Sequence, residues 1–414
     1  HDGGGANSNT LYANINFGNH SFLGTVPTGF TTLSSNTQIP RSTIYNPKKH
    51  FDVITWDGTN NSSRDITGLQ FKPDLVWIKN RAQANTHSWQ DSVIGFGDDK
   101  TLRVDTSNAL DTNGNLYGYI NYTLDNGINV NSGTSHGSSR VNSSSSGAKH
   151  VAWCWKAGGS SNTFNIDGTG YASASAAGIT DGDLPLTAAS INRKSGFSIV
   201  RYTGNGGSSQ TLAHGLEIAP KIFITKCIDT ASTNWDFHAF ESVRQDLNTT
   251  TTNQSNSLSL FSNDYVTIAS GSNNRNGNAK VYIAYIWAEI PGYSSFGSYT
   301  GNATGGPNNI GGPFVYTGFK PAFVLLKGLT HAGNWNLFDS KRPGQNVVND
   351  RLFPNLNSAE LDGSDSGNQI DMVSNGFKLK GSNADTNNNG SSFLYMAFAE
   401  QMGETPFGTE ATTI

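Results

Sequence analysis

Three stretches of the chain share one order of apolar and polar positions, and each is launched by a proline. Gly68-Leu69-Gln70-Phe71-Lys72-Pro73-Asp74 runs into Leu75-Val76-Trp77-Ile78-Lys79-Asn80. Gly215-Leu216-Glu217-Ile218-Ala219-Pro220-Lys221 runs into Ile222-Phe223-Ile224-Thr225-Lys226, and Gly318-Phe319-Lys320-Pro321-Ala322 into Phe323-Val324-Leu325-Leu326-Lys327. Proline presets φ and has no N–H to give, so it suits the first residue of a strand. The apolar runs that follow predict strands buried on both faces. A recurrence of this kind sets the architecture before any single residue does.

The order of the other elements repeats as well. An opening strand (Phe51 to Asp57, Phe197 to Thr203, Phe296 to Thr300) precedes each proline strand. An aromatic-rich element follows each, at Trp89, Trp235 and Trp335, and then a long Asn/Ser/Thr/Gly region. Alternating strands close the repeats, at Val151 to Trp155, Val281 to Trp287 and Phe393 to Ala399. Apolar residues at i, i+3, i+4 and i+7 do not persist beyond about a turn, so very little helix is expected.

The predicted fold class is all-β, with tandem antiparallel β-sandwich domains of jelly-roll or concanavalin-like type. The boundaries expected are 51–158, 197–291 and 292–402 for the three repeats. A hairpin-like connection spans 159–196, N-terminal strands occupy 1–50, and a polar tail 403–414. The chain begins at His1 without a signal peptide, and is expected to be a processed piece of something longer.

Composition narrows the function classes. Among 414 residues only 14% are charged, and the net charge is −4, with no Lys/Arg cluster denser than Lys48-Lys49-His50. A nucleic-acid partner is therefore not expected. The apolar runs fall far short of the roughly 20 residues of a membrane helix, so no membrane insertion is expected either. Asn, Ser, Thr and 47 Gly make the surface polar without charge. Cys154 and Cys227 lie in different repeats inside strands. They suit buried free thiols, with a bridge between repeats as the other option.

The candidate chemistry is thin. Asp91-Ser92, Glu241-Ser242 and Asp339-Ser340 form a recurrent acidic-Ser pair, one carboxylate per repeat. A glycosidase needs two carboxylates roughly 5 to 9.5 Å apart, and a recurrent position suits a strand-end hydrogen bond better. His87, His238 and His331 lie near these pairs without a nucleophile elbow or metal-ligand spacing, which suits polar loop histidines. Asp362-Gly363-Ser364-Asp365 has oxygen ligands but not the spacing of a helix-loop-helix calcium site. No catalytic residue, cofactor or metal is expected, and no enzymatic activity. The aromatics are better candidates, because a sugar's C–H face stacks on a ring. Trp56, Trp89, Trp235 and Trp335 are the candidate glycan contacts, the last three being taken as one equivalent position per repeat.

The segment Gly68 to Arg81, the element Trp89-Gln90-Asp91-Ser92-Val93, and Val151-Ala152-Trp153-Cys154-Trp155-Lys156-Ala157-Gly158-Gly159 together resemble a repeated module of bacteriophage structural proteins. These are large fibre-like or virion-surface proteins of phages infecting cyanobacteria and other marine bacteria. Repeat three departs from the pattern, with Ala322 where Asp74 stands and Ala397-Phe398 where Cys154-Trp155 stand. The segment Ile15 to Pro40 is similar to the tail of a SPRY-like or concanavalin-like domain that often precedes the module. The resemblance implies a tail-fibre or adsorption protein on the virion surface that displays loops to a host glycan. The alternatives are an architectural or decorating protein of the capsid or tail without ligand, and a secreted carbohydrate-active enzyme. The partners implied are further copies in a homo-oligomer such as a trimer, other virion proteins, and host-surface polysaccharide.

Overall fold

The computed structural model describes residues 44–400 except 146, 241, 255–257, 270, 306–310 and 362–365. The expectations for Ile15 to Pro40 and for the 403–414 tail lie outside them. The described chain is nearly all β, with six sheets paired antiparallel except for one parallel pair, and two four-residue helices, Gly114–Tyr117 and Ala384–Asn387.

Each repeat builds one sandwich from two sheets. In repeat one the inner sheet orders Phe51–Asp57, Lys149–Trp155, Leu75–Asn80 and Ser88–Asp91. Repeat three gives the same order with Ser294–Thr300, Ser392–Ala399, Pro321–Gly328 and Asn336–Asp339. Repeat two keeps it with Phe197–Thr203, Val281–Trp287, Ile222–Cys227 and Asp236–Ala239, and then extends the sheet on both sides. One extension is Val243–Asp246. The other comes from the 159–196 connection, whose Leu186–Asn192 strand pairs antiparallel with Phe197–Thr203 and parallel with the hairpin strand Phe164–Ile166.

The outer sheets have three strands each. They are Arg64–Thr67, Gly127–Asn131 and Tyr119–Leu124 in repeat one, then Gln210–Ala213, Tyr265–Ile268 and Leu258–Phe261 in repeat two. Repeat three has Phe314–Tyr316, Gly376–Leu379 and Ile370–Val373.

Strand alternation splits each inner sheet between two cores. Val76, Ile78, Ala152 and Cys154 face the outer sheet of repeat one, as Phe223 and Ile286 do in repeat two and Val324 and Ala397 in repeat three. The opposite faces all meet in one cluster. Trp77, Trp89, Trp153 and Trp155 of repeat one pack there with Phe197, Trp235, Tyr285 and Trp287 of repeat two and Phe323, Trp335, Met396 and Phe398 of repeat three.

The sandwiches are therefore not separate bodies in tandem, and the described residues fall in a single compact unit. A four-stranded sheet that is apolar on both faces cannot leave one of them to water, and the three copies satisfy one another. Trp155 sits where they meet: its ring centroid is 4.9 Å from Phe51, 6.2 Å from Trp287, 5.7 Å from Phe323 and 5.6 Å from Phe398.

Candidate functional site

Ladder register fixes which residues are equivalent. Leu75, Ile222 and Phe323 oppose Trp155, Trp287 and Phe398, so two residues later Trp77, Ile224 and Leu325 correspond. The partners of these three on the next strand are Trp89, Phe237 and Leu337. Trp89 is thus not the counterpart of Trp235 and Trp335; His87 is. Asp91 and Asp339 correspond to each other, but repeat two places Ala239 there, so only repeats one and three carry the acidic-Ser pair at this ladder position. Glu241 and residues 362–365 of the acidic loop lie outside the described residues.

With that alignment, the contacts between repeats fall into cyclic sets. The first uses the lysine one residue before the end of each proline strand. Lys79 donates to the Asn357 carbonyl of repeat three at 3.1 Å, Lys226 to Ser107 O of repeat one at 3.2 Å, and Lys327 to Thr250 O of repeat two at 3.4 Å. Each ammonium also donates to a carbonyl of its own repeat, at Asn80, Thr233 and Gly333. Burial lowers all three pKa values to about 8. The ammonium groups still carry their charge at neutral pH, with carbonyl dipoles in place of water.

Two residues after each lysine, a carbonyl accepts from the backbone of a neighbouring repeat. Glu360 N donates to Arg81 O at 2.8 Å, Leu110 N to Ile228 O at 3.1 Å and Asn253 N to Leu329 O at 2.9 Å. A third set comes from the aromatic element. His87 Nε2 donates to Phe353 O at 3.0 Å, Trp235 Nε1 to Arg103 O at 3.0 Å and Trp335 Nε1 to Asp246 O at 3.2 Å.

A fourth set is complete at two seams. Tyr285 donates its hydroxyl to Asp91 at 2.7 Å, and Trp153 Nε1 donates to Asp339 at 3.0 Å. At the third seam the corresponding residues are Met396 and Ala239. Donor and acceptor are both replaced by apolar groups, which leaves neither orphaned in the core. In the first three sets repeat one reaches three, three reaches two and two reaches one, and the fourth keeps the same direction at its two seams. Three copies close a head-to-tail ring within a single chain.

The seam between repeats one and three, which joins the two ends of the ring, has an additional charge network. Arg81 of repeat one grips Glu360 with Nε at 2.9 Å and Nη2 at 2.6 Å. Glu360 also pairs with the fully buried Arg342, which holds Asp339 at 2.6 Å. A mixed-charge cleft of about 320 Å³ opens on this seam between Lys48, Asp52, Lys341 and Glu400. Burial raises the Asp52 carboxyl, and Lys320 neutralises Glu400 at 2.7 Å.

The sequence candidates now have places. Trp56 is 7% exposed, stacks on His150 and donates to Val141 O. Trp89, Trp235 and Trp335 are 2%, 0% and 0% exposed. None of the four offers a ring face to a sugar, because inward alternation from a two-sided sheet puts them in the cores. Asp91 is fully buried and spends its other oxygen on the backbone N–H groups of Val93 and Ile94 at 2.8 Å each. Its carboxyl is pushed up to about 6 by burial. Asp339 caps Lys341 and Arg342 in the same way. Cys154 and Cys227 are buried free thiols. Among the described residues no group of His, Cys, Asp and Glu could hold a metal, and no helix is long and apolar enough to cross a membrane.

The histidines need correction too. Of the three read as polar loop residues, His87 and His238 are buried, His87 just before the Ser88–Asp91 strand and His238 within Asp236–Ala239, and His331 is partly buried. His87 Nδ1 accepts from Trp77 Nε1 at 2.9 Å while Nε2 faces two carbonyls, so its surroundings fix one neutral tautomer. Burial, then the charge of Lys79, lowers its pKa to about 3. A histidine depressed in the fold contributes stability that is full above the unfolded value of about 6.5 and declines as the pH falls toward the folded value. The destabilisation caused by His87→Gln, read from urea curves, should therefore shrink below pH 6.5 by up to about 1.4 kcal/mol per pH unit. A pH-independent difference between the two proteins would contradict this.

The fold and seams define a class: a single-chain ring of three β-sandwiches around one aromatic core. By sequence the chain belongs to the family described as a domain of unknown function, DUF7483, whose family model matches residues 46–402. A comparison with curated proteins finds no match.

Proposed function

We propose that the chain is a structural protein of a bacteriophage particle, a tail-fibre or adsorption protein that presents surface loops to a host-surface glycan. One observation carries the reading. Positions that recur across the three repeats are spent on the shared core and the seams, so their chemistry is internal. What remains for recognition is the outer faces and the loops, which are rich in uncharged polar residues and differ among the repeats. Loops positioned by a rigid scaffold are where binding residues concentrate. The phage-module resemblance of the Gly68 to Arg81 and Val151 to Gly159 segments supplies the biological setting.

The test is location and competition. Gold-labelled antibody against the chain should decorate the tail or fibres of particles that carry it, and purified chain should slow adsorption of those particles to their host. Label on the capsid shell without competition would favour the decorating role. Unlabelled particles would end the virion reading altogether.

A further inference from the structure

Strand alternation that buries Val315 between Phe314 and Tyr316 turns both rings outward, where they are 48% and 55% exposed. They lie on the edge strand of the outer sheet of repeat three, about 7 Å apart along the strand. Ladder register completes the surface. Phe314 stands beside Lys378 and then Asp371, and Tyr316 beside Gly376 and then Val373. Gly376 cannot bear a side chain, because a Cβ there would run into the Val315 carbonyl, so the floor beside Tyr316 stays low. Lys378 donates to Gly312 O at 2.9 Å, and Asp371 pairs with Lys380 at 3.3 Å.

The other two repeats serve as internal controls. The positions of Phe314 and Tyr316 are taken by Asp65 and Thr67 in repeat one and by Thr211 and Ala213 in repeat two. Repeat one exposes a single ring, Tyr122, at the far side of its sheet. In repeat two the edge is occupied: Leu184 N donates to Thr211 O and Asp183 accepts from Thr211 N. The fold therefore needs no aromatic at these positions, and repeat three nevertheless places two at the surface.

We infer that Phe314 and Tyr316 form a stacking platform for a neutral saccharide, with Lys378 and Asp371 at hydroxyl-bonding positions along its side. The inference rests on the adsorption reading and gives it a site. Ring faces carry the negative lobe of the quadrupole and attract the polarised C–H face of a pyranose. Size separates this from a protein contact. Two aromatic side chains of roughly 150–250 Å² each, about half exposed, offer on the order of 200 Å². A stable protein interface takes about 800 Å² from each partner.

Saturation-transfer NMR of the purified chain with cellohexaose, maltohexaose, a galactose hexamer and an N-acetylglucosamine hexamer tests it. At least one sugar should receive saturation, and Phe314→Ala or Tyr316→Ala should weaken its binding about tenfold. Tyr122→Ala should leave it unchanged, and melting temperatures should confirm that all three exposed-site variants fold. Sugar binding indifferent to Phe314 and Tyr316 would overturn the platform and leave adsorption through other loops standing. A wild-type chain that binds none of the sugars overturns the platform, while the adsorption reading is judged separately by gold labelling and competition. Self-association abolished by the same two substitutions would show a protein-docking edge instead.

Discussion

Trp155→Ala is expected to lower the stability of the entire chain by about 3–5 kcal/mol, in one transition shared by all three repeats. The residue is buried and packs against rings of every repeat: Phe51, Trp287, Phe323 and Phe398. Truncation removes the transfer free energy of the indole and leaves a cavity that three sheets line together. None of them can collapse into it without moving the others. Independent sandwiches would behave differently, with one unfolding step shifting to lower denaturant and two staying in place. Urea unfolding followed by hydrogen exchange at amides in each repeat separates the cases. Coincident midpoints that move together establish the shared core, and a shift confined to repeat one would refute it.

Arg342→Met should cost a similar amount, about 3–5 kcal/mol, through a different mechanism. Methionine keeps much of the stem and removes the charge, so the loss reports electrostatics more than packing. Arg342 is fully buried between Asp339 and Glu360 and also donates to Leu337 O at 3.1 Å. Without it Asp339 remains in the core as an unpaired carboxylate while still capping two backbone N–H groups and accepting from Trp153. Burying such a charge alone costs more than the pair contributes when intact. Adding Asp339→Asn, which preserves acceptor geometry without charge, should recover part of the loss. The measurement is the double-mutant cycle in urea. Strict additivity of the two substitutions would show that the pair is not coupled.

The ring also explains which sequence patterns were legible. A proline followed by alternating apolar residues identifies a strand wherever it occurs, since φ restriction and period-2 burial are local properties. The three copies, their order of strands and the all-β class follow from that alone. Equivalence beyond the ladder was harder. Trp89, Trp235 and Trp335 look like one position because tryptophan is conspicuous, yet register matches His87 with the last two. A histidine and an indole present the same N–H donor to a carbonyl in another repeat, and sequence similarity does not register shared donor geometry. The Asp91-Ser92 and Glu241-Ser242 pairs likewise match by residue type, whereas register makes Ala239 and Phe240 the counterparts of Asp91 and Ser92.

By itself, then, the sequence determined the strands, their threefold repetition and the scarcity of charge, because each is written in local spacing and composition. Only the tertiary structure decided that the buried second face of each inner sheet is covered by the other two copies. The same holds for the three lysines near the ends of the proline strands, which close the seams, and for the tryptophans, which point inward while Phe314 and Tyr316 point out. The physical reason is that the hydrogen bonds across the seams join residues far apart in sequence, 77 positions for Lys327 and Thr250 and 278 for Lys79 and Asn357, a pairing that no local periodicity encodes.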